Sequence, residues 1–506
     1  MPIAIRRCRP VDLLTSEPGA AASEPPLVDV VLDDAGVVSV VPAGTAQPPA
    51  GAAVTEVIDA DGRWLIPGLW DQHVHLAQWT LSSGRLDLAD VTGPEQAVRR
   101  VADRLAVEPG VPVVGWGHRS AGWSREPTVA ELDAVSGDTP VVLISGDAHH
   151  AWLNTPALLH LALPVRDTVV REAEWFAAYG RLSTLVGDDG TSPAAYRRTL
   201  EAAAARGVVG LVDFEFSGGA EEWCERWAAG ADLLRVRMAV YADGLDAVIA
   251  AGRRTGDPLG GDPRLTMGPL KIISDGSLNT RTAWCCAPYA DAPTAPPGMP
   301  NLDAAELQRL LATAHGHGLE VATHAIGDAA AAAALEAYAV TGARGSIEHA
   351  QLIRHEDVVR MAALGLRASV QPAHLLDDRD LAERVWPDRT DRCFAFRSML
   401  EAGVELVLGS DAPVAVLDPW VAIAAAVHRS ADDRPAWHPE QAITPREALL
   451  ASLDGRRELA VGGPGDVVLL DADPLPAGDP RDQAAALRAM PVALTTVAGR
   501  VVHREL

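Results

Sequence analysis

The sequence predicts an α/β protein centred on a (β/α)8 TIM-like barrel, with a small β-sandwich built from both termini and a large insertion after the first barrel strand. Three observations predict this fold. Short apolar runs alternate with amphipathic helical stretches, β-rich runs stand at both ends, and one connection is far too long for a loop. An open doubly wound sheet would need a glycine-rich dinucleotide fingerprint after its first strand, and the sequence has none there.

Both ends of the chain contribute to the predicted sandwich. Two β-rich runs within Leu27–Val41 are separated by Asp33-Asp34-Ala35-Gly36, a turn sequence that favours a hairpin. Near the other end, Asp466–Leu470 and Thr495–Val502 show the same β-rich pattern. Because short hairpins are marginally stable alone, we expect these segments to join in one small sheet or sandwich. The sandwich is assigned to residues 1–64 and 455–506 and the barrel to residues 65–454.

Eight segments are candidate barrel strands: Leu65–His75, Val208–Phe214, Leu234–Tyr241, Leu265–Ile273, Leu319–His324, Gly345–His349, Leu366–Gln371 and Val404–Asp411. Helical patterns separate most of them, for example Asp303–His317, Asp328–Val340, His355–Leu364 and Arg392–Ala402. About residues 76–205 lie between the first two strands. We expect this insertion to fold as a cap over the active-site mouth.

Composition excludes several classes of protein. The chain has 43 Lys and Arg against 68 Asp and Glu, a net charge of −25 that disfavours nucleic acid and anionic membranes as partners. No apolar run approaches the ~20 residues of a membrane span, and the N-terminus lacks a signal-peptide core. Five scattered cysteines match neither a disulfide framework nor a zinc ribbon. We expect a cytoplasmic protein that binds a small molecule, with a homodimer left open.

The first predicted strand ends with His73 and His75. Alternate residues of a strand face the same side, so both rings can point into the barrel and bind one cation. His324, His349 and Asp411 stand at the ends of further strands, on the face where barrel enzymes place their active sites. Each could instead be a satisfied core histidine or a helix-capping aspartate. Together, four imidazoles and a carboxylate are typical of a catalytic zinc-like site.

Lys271 ends the fourth predicted strand. Burial in an apolar strand would favour its neutral amine. The alternative is that the aliphatic part of the side chain is buried while the charged amine extends into solvent. A neutral amine can react with carbon dioxide to form a carbamate, whose oxygens would bridge two metal ions.

These patterns resemble the amidohydrolase superfamily, and within it the amidohydrolase-3 branch that is similar to N-substituted formamide deformylases. The resemblance covers nearly the whole chain and includes Pro67–His75, Val114–Asn154, Lys271–Leu278, His324–Asp328, Ile347–Gln351, Gln371–His374, Gly409–Val414 and Asp418–Trp420. It implies a metal-dependent hydrolase barrel with one or two divalent ions, most simply zinc. The ligands that it implies are His73, His75, Lys271 as a carbamate, His324, His349 and Asp411. Ala451–Gly455 departs from the family, which usually has a threonine there, and leaves the ligands untouched.

Four further residues are candidates for substrate binding. His150 matches a histidine that the family presents from its insertion. Asp275 and His374 are similar candidates, with a structural hydrogen bond as the alternative for each. Trp116 is one of 13 tryptophans, against five Phe and five Tyr, and two or three of them at the mouth would form an apolar pocket. Tryptophan at such spacing is otherwise a core residue.

The ligand set predicts hydrolysis by a metal-activated water, with Asp411 as general base and then general acid. We expect cleavage of a non-peptide carbon–nitrogen bond, as in an amide, N-acyl or N-formyl group. A ring deaminase or lactonase on the same scaffold is the alternative, favoured if one metal binds and Lys271 stays unmodified. A catalytically inactive scaffold is the third possibility, but a scaffold has no physical need for a buried lysine among such ligands.

Overall fold

The structure, a computed structural model, describes residues 2–14, 25–45, 55–118, 120, 123–145, 150–179, 181–186, 191–216 and 219–506. The chain divides into two compact units. The first contains Met1–Leu76 and Leu200–Leu506, and the second contains Ala77–Thr199. Within the described ranges, no helix is both long enough and apolar enough to cross a membrane.

The first unit begins with short strands: β1 (Ile3–Pro10), β2 (Val28–Asp33), β3 (Gly36–Pro42), β4 (Glu56–Asp59) and β5 (Trp64–Pro67). β2 and β3 form the predicted hairpin. At its turn, the Asp33 carboxylate accepts hydrogen bonds from the backbone N–H groups of Ala35 and Gly36. Gly36 has a φ of 137°, which side chains rarely adopt, so the turn requires glycine at this position.

The second unit follows the first barrel strand, β6 (Leu69–Val74). Its elements are α1 (Leu76–Ser83), β7 (Leu86–Asp87), α2 (Pro94–Val107), β8 (Val113–His118), α3 (Val129–Ser136), β9 (Val141–Ser145), β10 (His150–Leu153), α4 (Thr155–His160), β11 (Val170–Arg171), α5 (Glu172–Tyr179), α6 (Ser183–Val186) and α7 (Pro193–Ala204), which leads back to the first unit. The strands form one sheet in the order β11-β10-β9-β8-β7. Two apolar clusters, one with Trp175 and one with Trp152, form its core. Its predicted place over the barrel mouth stays a prediction.

Strands alternate with helices through the following part of the first unit. They are β12 (Val208–Asp213), α8 (Ala220–Ala228), β13 (Arg235–Val240), α9 (Leu245–Ala250), β14 (Pro258–Leu259), β15 (Asp262–Ile273), α10 (Ala304–Gly316), β16 (Val321–Ala325), α11 (Asp328–Thr341), β17 (Gly345–His349), α12 (His355–Ala363), β18 (Arg367–Val370), α13 (His374–Val385), α14 (Phe396–Glu401), β19 (Glu405–Leu408), α15 (Pro419–His428) and α16 (Pro445–Leu450). Their regular alternation matches the predicted βα pattern.

Seven of these strands and β6 form a parallel barrel sheet, in the order β6-β12-β13-β15-β16-β17-β18-β19, and the short β14 pairs antiparallel with β15. A parallel bridge between Val74, at the end of β6, and Ala412, after β19, brings the two edges together. The sheet is therefore a nearly closed barrel of the TIM-like type that the sequence predicts.

The chain ends in β20 (Val467–Leu470), α17 (Pro480–Arg488), β21 (Val492–Val497) and β22 (Arg500–Arg504). These strands join those of the N-terminus in one sheet, in the order β22-β21-β20-β5-β1-β2-β3, with β4 beside β1. One apolar cluster contains residues from both ends, among them Ile5, Leu32 and Leu469. Both termini therefore build one sheet, while its form as a sandwich stays a prediction.

Two predicted elements differ from the structure. The predicted strand Leu65–His75 is divided, because β5 pairs with β20 and only β6 belongs to the barrel. Gly68 lies between them, at a point where a Cβ would come within 2.2 Å of the Val209 side chain. The predicted helix Arg392–Ala402 is reduced to α14, because Phe394 has a φ of 51° and interrupts the helical conformation.

Asp466, immediately before β20, connects the sheet of the termini to the barrel. Its side chain is buried and accepts hydrogen bonds from Arg235 of β13 at 2.6 and 3.0 Å and from Arg456 at 2.8 Å. Burial alone would raise the pKa of Asp466, but the two guanidinium groups lower it below its usual range. The ionised carboxylate is therefore the form that stabilises the junction.

We predict that Asp466→Ala lowers the free energy of unfolding by about 2–4 kcal/mol, because loss of a buried carboxylate leaves both arginines without their partner. Asp471→Ala removes the partner of Arg63, a carboxylate that is more exposed than Asp466. It should lower the free energy of unfolding by less than about 1 kcal/mol. Urea unfolding of both variants measures the difference. Equal losses would show that the Asp466 cluster does not stabilise the junction.

Candidate metal centre

The six predicted metal ligands lie at or near the carboxyl ends of barrel strands. His73 is in β6 and His75 directly follows it, Lys271 is in β15, His324 is in β16, His349 ends β17, and Asp411 follows β19. In a parallel barrel these ends meet at one face. The pairing of Ile273 with His324 and of Ala325 with His349 places the ends of β15, β16 and β17 at similar heights.

His73, His349 and Asp411 form the middle of this group, with one ligand atom from each within 4.8 Å of the others. His75 adjoins them, since its Nε2 lies 3.4 Å from Asp411 Oδ1. Nδ1 of His75 and Nδ1 of His349 are buried and have no hydrogen-bond partner in the described part of the chain. Unpartnered imidazole nitrogens beside a buried carboxylate fit a divalent cation such as zinc.

Lys271 lies against this group. Its Nζ is 3.3 Å from His73 Nε2 and 4.3 Å from the centroid of the Phe214 ring. Burial lowers the pKa of Lys271 to about 8. About one tenth of its amine is therefore neutral at pH 7, far more than for an ordinary lysine, and the neutral amine is the form that a carbamate requires.

His324 approaches from the other side, with its ring 4.6 Å from that of His349. Its Nε2 lies 3.2 Å from the carbonyl oxygen of Gly276. If Nε2–H donates to this carbonyl, Nδ1 carries the lone pair and can bind a cation.

The backbone is strained at two of the predicted ligands. His349 has a φ of 70° and Asp411 a φ of 57°, a region that costs a residue with a side chain about 1 kcal/mol or more. The Asp411 N–H donates to the His73 carbonyl at 2.7 Å, and the Ser410 N–H donates to the Asp71 carboxylate at 2.9 Å. These bonds between the first and last strands hold Asp411 in its strained conformation.

The charge states suit metal binding. Burial lowers the pKa of His73 to about 4, so its imidazole is neutral at pH 7, as a metal ligand must be. Burial would raise the pKa of Asp411, but the imidazoles of His73, His75 and His349 lower it well below its usual range. Asp411 is therefore a carboxylate that can accept a proton.

Glu348, which the sequence analysis did not single out, contacts His73. Its Oε2 lies 2.7 Å from His73 Nδ1, and its Oε1 accepts a hydrogen bond from the Ser346 hydroxyl at 2.5 Å. Burial raises the pKa of Glu348, but the His73 hydrogen bond and the Lys271 charge lower it below its usual value on balance. As a carboxylate it accepts the Nδ1–H of His73 and leaves the Nε2 lone pair facing the other ligands.

Regular strand alternation explains why Glu348 was missed. It places Glu348 and His349 on opposite faces of β17, yet both approach His73, whose ring lies 4.9 Å from that of His349. The positive φ of His349 breaks the alternation at the last residue of the strand. The sequence did contain one indication of a role for Glu348, which is that Ser346 and Glu348 are polar residues two apart in a buried strand.

We predict that Glu348→Leu weakens divalent metal binding by about 10- to 100-fold, because the carboxylate that orients His73 is lost. Glu320→Leu, which removes the half-exposed partner of Arg367, is the matched control and should bind metal as the wild type does. Competition with a fluorescent chelator measures the affinities, and thermal unfolding checks both folds. Unchanged affinity in a folded Glu348→Leu protein would contradict this role.

His374 is the predicted substrate-binding residue that lies in this centre. It begins α13, its ring is stacked at 6.2 Å on that of His349, and its Nε2 is 3.8 Å from Asp411 Oδ2. This Nε2 is buried and unpartnered among the described residues. A donor or acceptor at this position can meet a substrate polar group beside Asp411.

Asp275 is fully buried, and its Oδ1 lies 3.4 Å from Nε2 of His324. Its carboxylate accepts hydrogen bonds from the backbone N–H groups of Trp284, Ile326 and Gly327. These bonds hold the loop after β16. They correspond to the structural hydrogen bonding that the sequence left open as the alternative to substrate contact. Substrate contact by Asp275 stays a prediction.

His150 and Trp116 belong to the second unit. Nε2 of His150 lies 2.7 Å from the Ser120 hydroxyl, and its ring meets that of His118 edge to face at 5.2 Å. Trp116 packs against an apolar cluster of its unit, with the Arg85 guanidinium 5.2 Å from its ring centroid. Substrate contact by His150 and Trp116 stays a prediction.

Comparison of the sequence with known proteins confirms the resemblance. Residues 56–503 match the amidohydrolase family. Protein LONG AFTER FAR-RED 3 of Arabidopsis thaliana is 30% identical over 440 residues, which cover 78% of this chain and 74% of that protein. N-substituted formamide deformylase of Arthrobacter pascens is 26% identical over 513 residues, which cover 88% of this chain and 90% of that enzyme.

Solved structures share the fold. An uncharacterized metal-dependent hydrolase from Pyrococcus furiosus is 25% identical, with a TM-score of 0.72 over 94% of this chain and 100% of its own. A Xaa-Pro dipeptidase is 15% identical, with a TM-score of 0.51 over 100% of both chains, and is similar in fold alone. The fold is therefore that of metal-dependent hydrolases, and it does not by itself determine which bond is cleaved.

Proposed function

Since the chain belongs to the amidohydrolase family, we propose that it is a metal-dependent hydrolase that cleaves a non-peptide carbon–nitrogen bond of a small molecule, as in an amide, N-acyl or N-formyl group. The observation that carries this proposal is the buried cluster of His73, His349 and Asp411 with His75 beside it. Similarity over most of the chain to a formamide deformylase supports the type of bond.

One or two divalent ions, most simply zinc, would supply an activated water and polarise the scissile carbonyl. His73, His75, His324 and His349 would hold them, together with Asp411 and a modified Lys271. Asp411 is ionised and lies within 3.5 Å of two imidazoles. It accepts a proton from the attacking water and delivers it to the leaving nitrogen. His374, beside the second oxygen of Asp411, orients the substrate.

Lys271 is proposed to carry a carbamate. The lone pair of its neutral amine forms a bond to the carbon of carbon dioxide, one C=O π bond becomes a carboxylate oxygen, and a proton leaves to solvent. The amine is buried beside His73 and has a lowered pKa. The modified side chain then offers two oxygens as metal ligands.

The second unit is proposed to cover the mouth and to bring His150 and Trp116 toward the substrate, and Asp275 is proposed to contact it from the barrel. The basis is the length of the insertion and the family resemblance. A cytoplasmic location and a homodimer stay predictions.

We predict one to two equivalents of a divalent metal in the purified protein, measured by elemental analysis. Removal with a chelator should abolish hydrolysis of N-formyl and N-acyl amines, and zinc should restore it. His73→Ala should lose metal and activity with its circular dichroism unchanged, whereas His355→Ala, a change at an exposed histidine, should lose neither. Full activity in metal-free protein would contradict the proposal.

We predict a carbamate carbon in the ¹³C NMR spectrum of metal-loaded protein exchanged with ¹³C-bicarbonate. The signal should be absent from Lys271→Ala, because the amine that binds carbon dioxide is gone. Activity of that variant should fall and return in part with short-chain carboxylic acids, which replace the missing ligand oxygens. An unmodified Lys271 in active protein would favour the ring deaminase or lactonase alternative.

A further inference from the structure

An exposed aromatic ring stands directly beside a predicted metal ligand. Phe216 is 55% exposed, and its ring is stacked on that of His75, with the centroids 4.9 Å apart and the planes at 22°. Its ring also lies 5.3 Å from that of Tyr241, whose hydroxyl donates to the Phe214 carbonyl at 2.7 Å. The Phe216 ring thus contacts two aromatic neighbours, while more than half of the residue remains exposed.

Single exposed hydrophobic residues are common, so exposure alone indicates little. The position of Phe216 is what distinguishes it. It follows β12, one neighbour of β6 in the barrel, and Val414 follows β19, the other neighbour. Val414 is 65% exposed, and its N–H donates to the Asp411 carbonyl at 2.8 Å. Apolar side chains therefore follow both strands that flank β6, which carries His73 and leads to His75.

The charges of the loops after β12 and β19 disfavour a negatively charged substituent on the substrate. Residues 214–219 and 409–417 contain no lysine or arginine, and they contain Glu215 and Asp411. A carboxylate on the substrate would find no lysine or arginine on either loop to pair with. An uncharged apolar group would instead remove the exposed Phe216 ring from water.

We propose that Phe216 is a specificity-determining residue that binds an uncharged apolar substituent of the substrate, aromatic or branched aliphatic, next to the reacting carbonyl. This inference rests on the proposed function, because the metal centre supplies the other anchor of the substrate. It narrows the substrate class to small amides whose substituent on this side carries no carboxylate.

The test measures binding of three hydroxamates to zinc-loaded protein by calorimetry, so that no substrate needs to be known. All three chelate a metal through the same two oxygens: acetohydroxamate has only a methyl group, phenylacetohydroxamate adds a phenyl ring, and succinic monohydroxamate adds a carboxylate. We expect wild-type protein to bind the phenyl compound roughly 10- to 100-fold more tightly than acetohydroxamate, the gain expected from burial of one ring. The carboxylate compound should bind no more tightly than acetohydroxamate.

Phe216→Ala should reduce the preference for the phenyl compound to about threefold or less, since most of the apolar contact is lost. It should leave the metal content and the affinity for acetohydroxamate unchanged. Phe216→Tyr should retain the preference, because its ring has the same apolar faces. Val359→Ala, which truncates a 64% exposed residue of α12, is the matched control and should behave as the wild type.

Each other outcome overturns a specific statement. Normal metal content with no preference for the phenyl compound, or a preference that survives Phe216→Ala, overturns the role of Phe216 and leaves the proposed function intact. Tightest binding of the carboxylate compound overturns the substrate class. Protein that takes up no divalent ion overturns the proposed function and this inference with it, and elemental analysis of the same sample identifies that case.

Discussion

The junction of the first and last barrel strands is the constraint on which the metal centre depends. β6 carries His73 and leads to His75, and the loop after β19 carries Asp411. The His73 carbonyl accepts the Asp411 N–H at 2.7 Å, and the His75 N–H donates to the Ala412 carbonyl at 2.9 Å. A barrel that opened at this junction would separate the carboxylate from both histidines. Closure of the sheet and assembly of the site are thus the same event.

Gly409 lies so close to β6 at this junction that it has no room for a side chain. A Cβ at Gly409 would lie 2.7 Å from the His73 nitrogen and 3.1 Å from the Asp71 carboxylate. Asp71 in turn accepts the N–H groups of His73 and Ser410. The buried carboxylate therefore ties the backbone of both strands together, and glycine permits the approach.

The buried groups of the centre are balanced by one another. Lys271, Glu348 and Asp411 are buried ionisable groups, and an isolated charge at any of these positions would be costly. Glu348 is paired with His73 and Ser346, and Asp411 is surrounded by imidazoles. Nδ1 of His75, Nδ1 of His349 and Nε2 of His374 have no hydrogen-bond partner among the described residues. A cation held between the imidazoles and Asp411 would compensate those nitrogens that face it, which is how metal binding would stabilise this cluster.

The sequence predicted the strands well because parallel barrel strands are short apolar runs with polar residues at their carboxyl ends. It predicted His73, His75, His349 and Asp411 at one face for the same reason, and the structure brings these four together. It missed Glu348, because alternation along β17 fails at His349, where φ is positive. The sequence also could not predict that β5 pairs with β20, because the two strands are distant in sequence and Leu65 is as apolar as a barrel residue. The place of the second unit stays a prediction, because no local pattern in the sequence encodes it.

Catalytic chemistry and substrate choice are carried by different parts of the chain. The predicted ligands lie in barrel strands or directly after them, where the backbone is committed to closing the barrel, and a change there would disturb both the sheet and the site. Exposed residues of the loops after β12 and β19 have no such commitment, as the open ring of Phe216 and the open side chain of Val414 show. Structures with this fold include a Xaa-Pro dipeptidase, so the fold tolerates different scissile bonds. The hydrogen bonds that close the barrel join the backbone of His73 and His75 to that of Asp411 and Ala412, so exposed side chains such as Phe216 and Val414 can change without loss of those bonds.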